Sequence, residues 1–360
     1  MQPTKNPTLL FVSTPGPDEQ IDPDIHFELV NKELDLKTAC LGGGVLIKTL
    51  LLSSEPYLRY RFRNPSDKSD AGFIPPVQLG FPVDSAGIGK VIRSDDPCFQ
   101  VGDIVIGYLD YSEYCIYPGP GPHLFKIPMH KLNPHPGIPY SVYLGVLGFP
   151  GHVAYCAWEL YVKERIQSAK RMYVSSGAST VGTFVIEYTK LKAPHVEIVA
   201  SAGTDEKVDC MKKSGADVVF NYRSEDIQVM LSKHGPIDIF WDNVGGRTLD
   251  MTLVNMSEEG LILSCGNIST MSSSHEIQNY DQVYKRKLTV QGVICYAGDM
   301  AKPMSTFFQD VVPLVLDGTI SHREHLYHGM EEAARALCDL HTGANMGKAV
   351  VVVCDDEDEE

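Results

Sequence analysis

The sequence holds no apolar run near the roughly 18 residues that a membrane-spanning helix requires. Its opening residues, Met1 to Pro7, lack the apolar core of a secretory leader, so a cytoplasmic protein without membrane partners is expected. Positive charge is scarce. The 31 Lys and Arg stand against 46 Asp and Glu, a formal charge of −15, whereas a nucleic-acid partner needs clustered cations to neutralise phosphates. Part of the negative charge is the terminal run Asp355 to Glu360, which reads as a solvated tail. The nine cysteines include no C-x-x-C pair and are odd in number. Neither a disulfide framework nor a zinc cluster is indicated, and free thiols suit a reducing compartment. No internal repeat is visible.

What is present is a chain of 360 residues, long enough for two domains, with the 43% hydrophobic and 21% charged content of a globular protein. The first 140 or so residues read as short strands broken by Gly and Pro: Gly44 to Leu52, Ala86 to Ile92 and Asp103 to Tyr108. Tyr117 to Pro122 reads as turn or extended loop, because Pro cannot serve a central ladder. A barrel-like β module is the natural reading. From about 143 onward, strand-like runs (171–175, 196–201, 217–220, 237–241, 260–265, 289–294) alternate with helical patterns (181–192, 205–214, 224–233, 247–255). That alternation predicts a doubly wound parallel sheet, an α/β fold. Helical patterns at Met304–Leu316 and Met330–His341 precede a last strand, Lys348–Val353, expected to return to the first module. The expected domains are thus 1–142 with 315–360, and 143–314.

Within the second domain, Val174-Ser175-Ser176-Gly177-Ala178-Ser179-Thr180-Val181-Gly182 joins an apolar strand to a helical pattern. A turn of small residues at a helix N-terminus is where a dinucleotide pyrophosphate is laid. The glycines do not follow the G-x-G-x-x-G spacing, so by itself the turn also fits an ordinary α/β protein. Roughly twenty residues on, the second strand ends in Ala202-Gly203-Thr204 and lacks the Asp or Glu that takes the ribose hydroxyls of NAD. With Lys207 close behind, the strand end leaves room for the 2′-phosphate of NADP. An NADP(H)-dependent oxidoreductase is the reading.

Several segments then resemble a known family. Leu51-Leu52-Ser53-Ser54-Glu55-Pro56-Tyr57-Leu58-Arg59 is similar to a D-P-Y-M-R signature, and Phe149-Pro150-Gly151-His152-Val153-Ala154-Tyr155 to M-P-G-x-T-A-Y. Ala202 to Lys207, Phe220-Asn221-Tyr222, Asp242 to Gly246, Ser264 to Ser269 and Asn345 to Lys348 follow in order. These are marks of the zinc-independent medium-chain dehydrogenase/reductases, in the branch of leukotriene B4 12-hydroxydehydrogenase, prostaglandin reductase and alkenal double-bond reductases. The resemblance implies a GroES-like catalytic domain, a Rossmann NADP(H) domain and a homodimer. It implies reduction by NADPH of the carbon–carbon double bond of α,β-unsaturated aldehydes or ketones, through an enolate steadied by a Tyr or ribose hydroxyl without metal. The Cys ligand, G-H-E motif and four-cysteine lobe of the zinc branch are missing.

Carried onto this chain, Tyr57 is the catalytic candidate. The cofactor would be held by Ser176, Gly177, Thr180, Val181, Gly182, Ala202, Gly203, Lys207, Tyr222, Asn243, Cys265, Gly266, Ile268, Ser269 and Asn345, with Cys265 as packing and not as a nucleophile. Arg59 and Arg61 read as surface or structural cations. The chain departs from the family where Met271 replaces a tyrosine, Ala86 replaces an aromatic, and His152-Val153 replace an apolar residue and a threonine. His152 is a structural histidine or a compensating donor, and Tyr57 is expected to carry more of the enolate stabilisation than in other members. Two alternatives stay open: a related enzyme, either a quinone reductase of the zeta-crystallin type or an alcohol/ketone oxidoreductase without zinc, and an NADPH-binding protein without turnover.

Overall fold

A computed structural model describes residues 4–64, 74–117, 128–271, 273, 275–294 and 298–354. The 118–122 part of the Pro/Gly segment, His123, Cys295 and the acidic run 355–360 lie outside the described residues. The chain divides into two units, one of residues 1–144 and 324–360, the other of 145–323.

The first unit contains β1 (Thr4–Phe11), β2 (Phe27–Leu34), β3 (Val45–Ser53), β4 (Asp84–Ser94), β5 (Ile104–Asp110), β6 (Tyr114–Tyr117) and β7 (His130–Lys131). A short helix, α1 (Leu58–Arg61), follows β3. Strand β3 is apolar almost throughout, as a central strand covered on both faces must be. It pairs with β4 along one edge. Its other edge is shared by β6 at its N-terminal half and by a late strand at Leu51–Ser53. β1 and β2 form a separate antiparallel pair, not legible in the sequence because a long Pro- and Gly-containing connection parts them. Phe11 and Phe27 face each other in that register and both pack on Phe62, at 5.0 and 5.1 Å between ring centres.

The second unit is a six-stranded parallel sheet of β8 (Arg171–Val174), β9 (Glu197–Ala202), β10 (Val218–Asn221), β11 (Ile237–Asp242), β12 (Met256–Ser264) and β13 (Thr289–Gly292), in the order β10-β9-β8-β11-β12-β13. Its longer helices are α2 (Phe149–Ala157), α3 (Thr180–Lys192), α4 (Asp205–Lys213), α5 (Ile227–His234), α6 (Gly246–Leu253) and α7 (Phe307–Leu316). Connections run one way from β8 through β9 to β10 and the other way from β11 outward. The carboxyl ends of β8 and β11 are therefore the switch point where such sheets open a crevice.

The chain rejoins the first unit at 324, nine positions later than the 315 expected. The reason is a buried carboxylate on α3: Glu187 accepts from the Ser321 N–H at 2.9 Å, from the Ser321 hydroxyl, and from Ser214 Oγ at 2.8 Å. The connection after α7 is thereby held to the second unit. Strand β14 (Glu324–His328), helix α8 (Ala333–Thr342) and strand β15 (Lys348–Val352) complete the first unit, whose main sheet runs β14-β15-β3-β4-β5-β7.

Candidate active site

At the end of β8 the backbone turns through Ser176, held at a left-handed φ of 50°. A non-glycine residue there stores strain of the kind found at ligand-binding turns. Gly177 and Gly182 are required by packing. A Cβ on Gly177 would stand 2.6 Å from Met211 Sδ, and one on Gly182 would stand 2.5 Å from the Ser176 carbonyl oxygen. The helix thus begins in contact with the turn. Ser179 caps α3 by accepting from the Gly182 N–H. Thr180 and Val181 occupy the first turn, where N–H groups have no intrahelical acceptor and the helix dipole favours an anion. This turn can seat a pyrophosphate.

The next strand end is cationic. Ala202 closes β9, Thr204 caps α4, and Lys207 stands in the first turn of that helix. Tyr222 lies across Gly203 so closely that a Cβ there would meet its hydroxyl at 2.6 Å and Arg223 Nε at 3.3 Å. Arg223 was not singled out in the sequence, where it follows the Asn221-Tyr222 motif without any spacing signal of its own. Burial first, and then the Arg223 cation, push the Lys207 ammonium below its ordinary range. Two cations that disfavour each other, with no carboxylate ending the strand, form a donor set suited to a dianion. The 2′-phosphate of NADP fits it.

At the carboxyl ends of β11 and β12, two glycine turns interlock. The N–H groups of Cys265 and Gly266 donate to the Asp242 carbonyl at 2.9 and 3.0 Å, and Ser269 donates through N–H and hydroxyl to the Val244 carbonyl. Gly245, at φ 68°, has no room for a Cβ beside Asn267. Asp242 accepts from the Val244 and Gly245 N–H groups and from Ser175 Oγ, and its burial pushes its carboxyl up to about 6. The Asn243 amide is turned inward: Nδ2 donates to the Ser175 carbonyl at 2.8 Å and Oδ1 accepts from Trp241 Nε1. Its role here is to tie β11 to the β8 turn. The Cys265 thiol is pushed up to about 12 by burial, which leaves it no thiolate for attack. Ile268 opens a short 3₁₀ turn beside it. The positions named from Ser176 to Ser269 therefore gather at the carboxyl ends of five neighbouring strands, β8 to β12. His152 belongs to the packing of this unit: it is 8% exposed and lies edge-on to Phe307, with ring centres 4.3 Å apart.

The other two named positions, Tyr57 and Asn345, lie in the first unit and share one end of its sheet. Lys348 Nζ donates to the Ser54 carbonyl at 2.8 Å and to Glu55 Oε1 at 2.7 Å, so the Asn345–Lys348 turn is fastened to the loop that carries Tyr57. Asn345 Nδ2 donates to the Gly347 carbonyl within that turn. Arg59 and Arg61 are structural. Arg59 donates to the Gly16 and Glu19 carbonyls, and Arg61 donates to the Pro75 carbonyl and pairs with Asp84 at 2.7 Å. Tyr57 directly precedes α1, and its hydroxyl lies 3.0 Å from that of Tyr108 and 3.5 Å from Ser85 Oγ. Burial, with Tyr108 and Glu55 nearby, holds the Tyr57 phenol well above its ordinary range, so it is a neutral hydrogen-bond donor. Among the described residues, no three His, Cys, Asp or Glu side chains gather as metal ligands.

Known proteins resemble both units of the chain. The family described as zinc-binding dehydrogenase matches residues 180–310, and the N-terminal domain of oxidoreductase matches residues 17–127. The chain is 34% identical to a 2-alkenal reductase (NADP(+)-dependent) of Nicotiana tabacum over 91% of this chain and 92% of that one. It is 31% identical to (+)-pulegone reductase of Mentha piperita over 91% and 96%. The crystal structure of CurA from Vibrio vulnificus in complex with NADPH superposes with a TM-score of 0.82 at 25% identity, over 97% of this chain and all of that one. With both units matched and identity sustained over most of each relative, the chain belongs to the medium-chain dehydrogenase/reductase oxidoreductases, in their alkenal and enone reductase branch.

Proposed function

We propose that this protein is an NADPH-dependent ene-reductase that saturates the carbon–carbon double bond of α,β-unsaturated aldehydes and ketones. The observation that carries the reading is Tyr57, a half-buried phenol kept neutral and beside a hydroxyl neighbour. Reduction of an enone adds a hydride to the β-carbon and a proton to the α-carbon, while negative charge collects on the carbonyl oxygen between the two events. Bound NADPH supplies the hydride. The chain's residues do the rest. The Ser176–Gly182 turn holds the pyrophosphate, Lys207, Arg223 and Tyr222 hold the 2′-phosphate, and the Asn243 and Cys265–Ser269 strand ends border the nicotinamide side. Asn345 steadies the loop beside Tyr57 through the Lys348 turn. Tyr57 donates to the carbonyl oxygen as its charge grows, a fixed dipole that needs no reorganisation at that moment. Assembly as a homodimer in the cytoplasm belongs to the same reading, and among the described residues no helix is long and apolar enough to cross a membrane.

The test is NADPH absorbance with the purified protein and a medium-chain enone, an enal and a small quinone, repeated with NADH. The expected result is turnover of enone and enal to saturated products, with NADPH strongly preferred. Turnover of the quinone alone would move the protein to quinone reduction, and NADPH binding without any turnover would make it a cofactor-binding protein. Tyr57→Phe should lower kcat by roughly 100-fold, the scale of losing one oxyanion donor, with NADPH affinity unchanged; wild-type turnover in that variant would remove Tyr57 from the role.

A further inference from the structure

A phenol that donates its proton to a substrate oxygen needs its own oxygen held and polarised from behind. Two of the hydroxyls beside Tyr57 belong to Ser85 and Tyr108. Ser85 Oγ, at 3.5 Å, is at the limit of a hydrogen bond, whereas Tyr108 Oη, at 3.0 Å, is well inside it. Tyr108 lies on β5, and its register partner on β4 is Ala86. Cross-strand partners share a face of the sheet, and a methyl at Ala86 leaves that face open for a ring from the next strand. The surroundings favour the neutral phenol in Tyr108 as in Tyr57: burial raises it first and outweighs the lowering by its hydrogen bond with Tyr57 and by Arg61, while Glu55 and Asp84 add to the rise. Arg61, itself fixed between the Pro75 carbonyl and Asp84, is a cation in the same neighbourhood.

We propose that Tyr108 is a positioning residue for the reductive step, whose hydroxyl donates to Tyr57 Oη and thereby aims the Tyr57 proton at the substrate carbonyl and sharpens it as a donor. Hydrogen bonds in a chain polarise one another, so the pair acts as one donor of two linked phenols. In this role Tyr108 acts through Tyr57. This assignment rests on the ene-reductase reading above. It also fixes which partner gives the proton within the pair: Tyr108 to Tyr57, and Tyr57 outward.

The experiment is a double-mutant cycle on the full-length protein with a medium-chain enone: wild type, Tyr57→Phe, Tyr108→Phe, and both together. Thermal midpoint and NADPH affinity of each variant report whether folding and cofactor binding are intact. With Tyr57 present, Tyr108→Phe should lower kcat roughly tenfold while the KM for the enone changes little, as for the loss of an interaction made in the transition state. With Tyr57 already replaced, the same change should cost nothing further, because Tyr108 then has no hydroxyl to act through. Equal losses in both backgrounds, or a loss confined to KM, would mean a packing role and overturn the assignment. If Tyr108→Phe does not fold, Tyr108→Trp and Tyr108→His are put through the same cycle. The His variant keeps a ring donor and should recover part of kcat only where Tyr57 is present. A wild-type protein that reduces no enone overturns the ene-reductase reading and the assignment with it, whereas enone turnover with additive losses overturns the assignment alone.

Discussion

At the end of β9, burial and then the Arg223 cation lower the Lys207 ammonium, while Glu206 draws it back up; an added anion would favour both cations. If that anion is the 2′-phosphate, Arg223→Ala removes a charge-assisted hydrogen bond worth about 1.5–3 kcal/mol. NADPH affinity should then fall roughly 10- to 100-fold while NADH affinity stays where it was, as titration calorimetry with each cofactor would show. Equal weakening of both cofactors would mean that Arg223 only supports the fold. Lys207 could be read from the sequence because it sits at a fixed distance beyond a strand that ends without a carboxylate. Arg223 could not, because its place depends on β10 lying beside β9, a pairing between segments about twenty residues apart. Tyr108 was hidden for the same reason, since its neighbour is 51 positions away in the chain. Arg59 and Arg61, so near Tyr57 in the sequence, prove to be buried braces. Local sequence gives proximity, but only tertiary pairing shows direction.

Among the elements, the strands and helices of the second unit were the most legible, because apolar runs alternate with capped helical patterns. Ser179, Thr204 and Asp226 each cap the helix that follows. The β1–β2 pair escaped notice because its two halves are joined by long-range pairing alone. The β11 end carries a pH signature. Asp242 has a carboxyl pushed from 3.8 up to about 6 by burial, so the native state keeps this proton after the unfolded chain has lost it. The unfolded chain therefore binds fewer protons in that window, and the group's contribution to stability falls as pH rises from about 4 to about 6, then levels off. In Asp242→Asn this fall is absent. Relative to wild type, the variant should gain up to about 3 kcal/mol across that window, measured by denaturant unfolding at a series of pH values. A difference that does not change with pH would show that Asp242 is ionised in the folded protein throughout. Asp110, also pushed up to about 6 by burial, serves as the internal comparison, since the Asn variant leaves its contribution in place.

At the scale of the molecule, the first unit is assembled from both ends of the chain, and Lys348 ties the returning segment to the loop after β3. This ammonium and the Glu55 carboxylate are each about 5% exposed and 2.7 Å apart, across 293 positions of sequence. Burial pushes the ammonium down while Glu55 pulls it back up. Breaking such a pair strands a charge in the interior, so Lys348→Ala should cost about 3–5 kcal/mol, whereas replacing both partners with apolar residues should cost far less. Thermal melts of the two variants would separate the cases; equal losses would mean that the fastening comes from β15 alone. The sequence announced the returning strand through Lys348 to Val353, but it placed the crossing back to the first unit too early. The hydrogen bonds from Ser321 and Ser214 to Glu187 that delay it are side-chain contacts with no periodicity to read.

The position of β15, seated between β14 and β3, sets a timetable for the chain as it is made. Residues 145–323 can complete their parallel sheet as soon as they have emerged, since every strand of it lies within that span. The first unit, though begun earlier, must wait with the Leu51–Ser53 edge of β3 unpaired until residues 348–352 arrive. The part synthesised first is thus the part finished last. An exposed apolar strand edge is a hazard during that interval, and the loop bearing Tyr57 is not fastened until the wait is over.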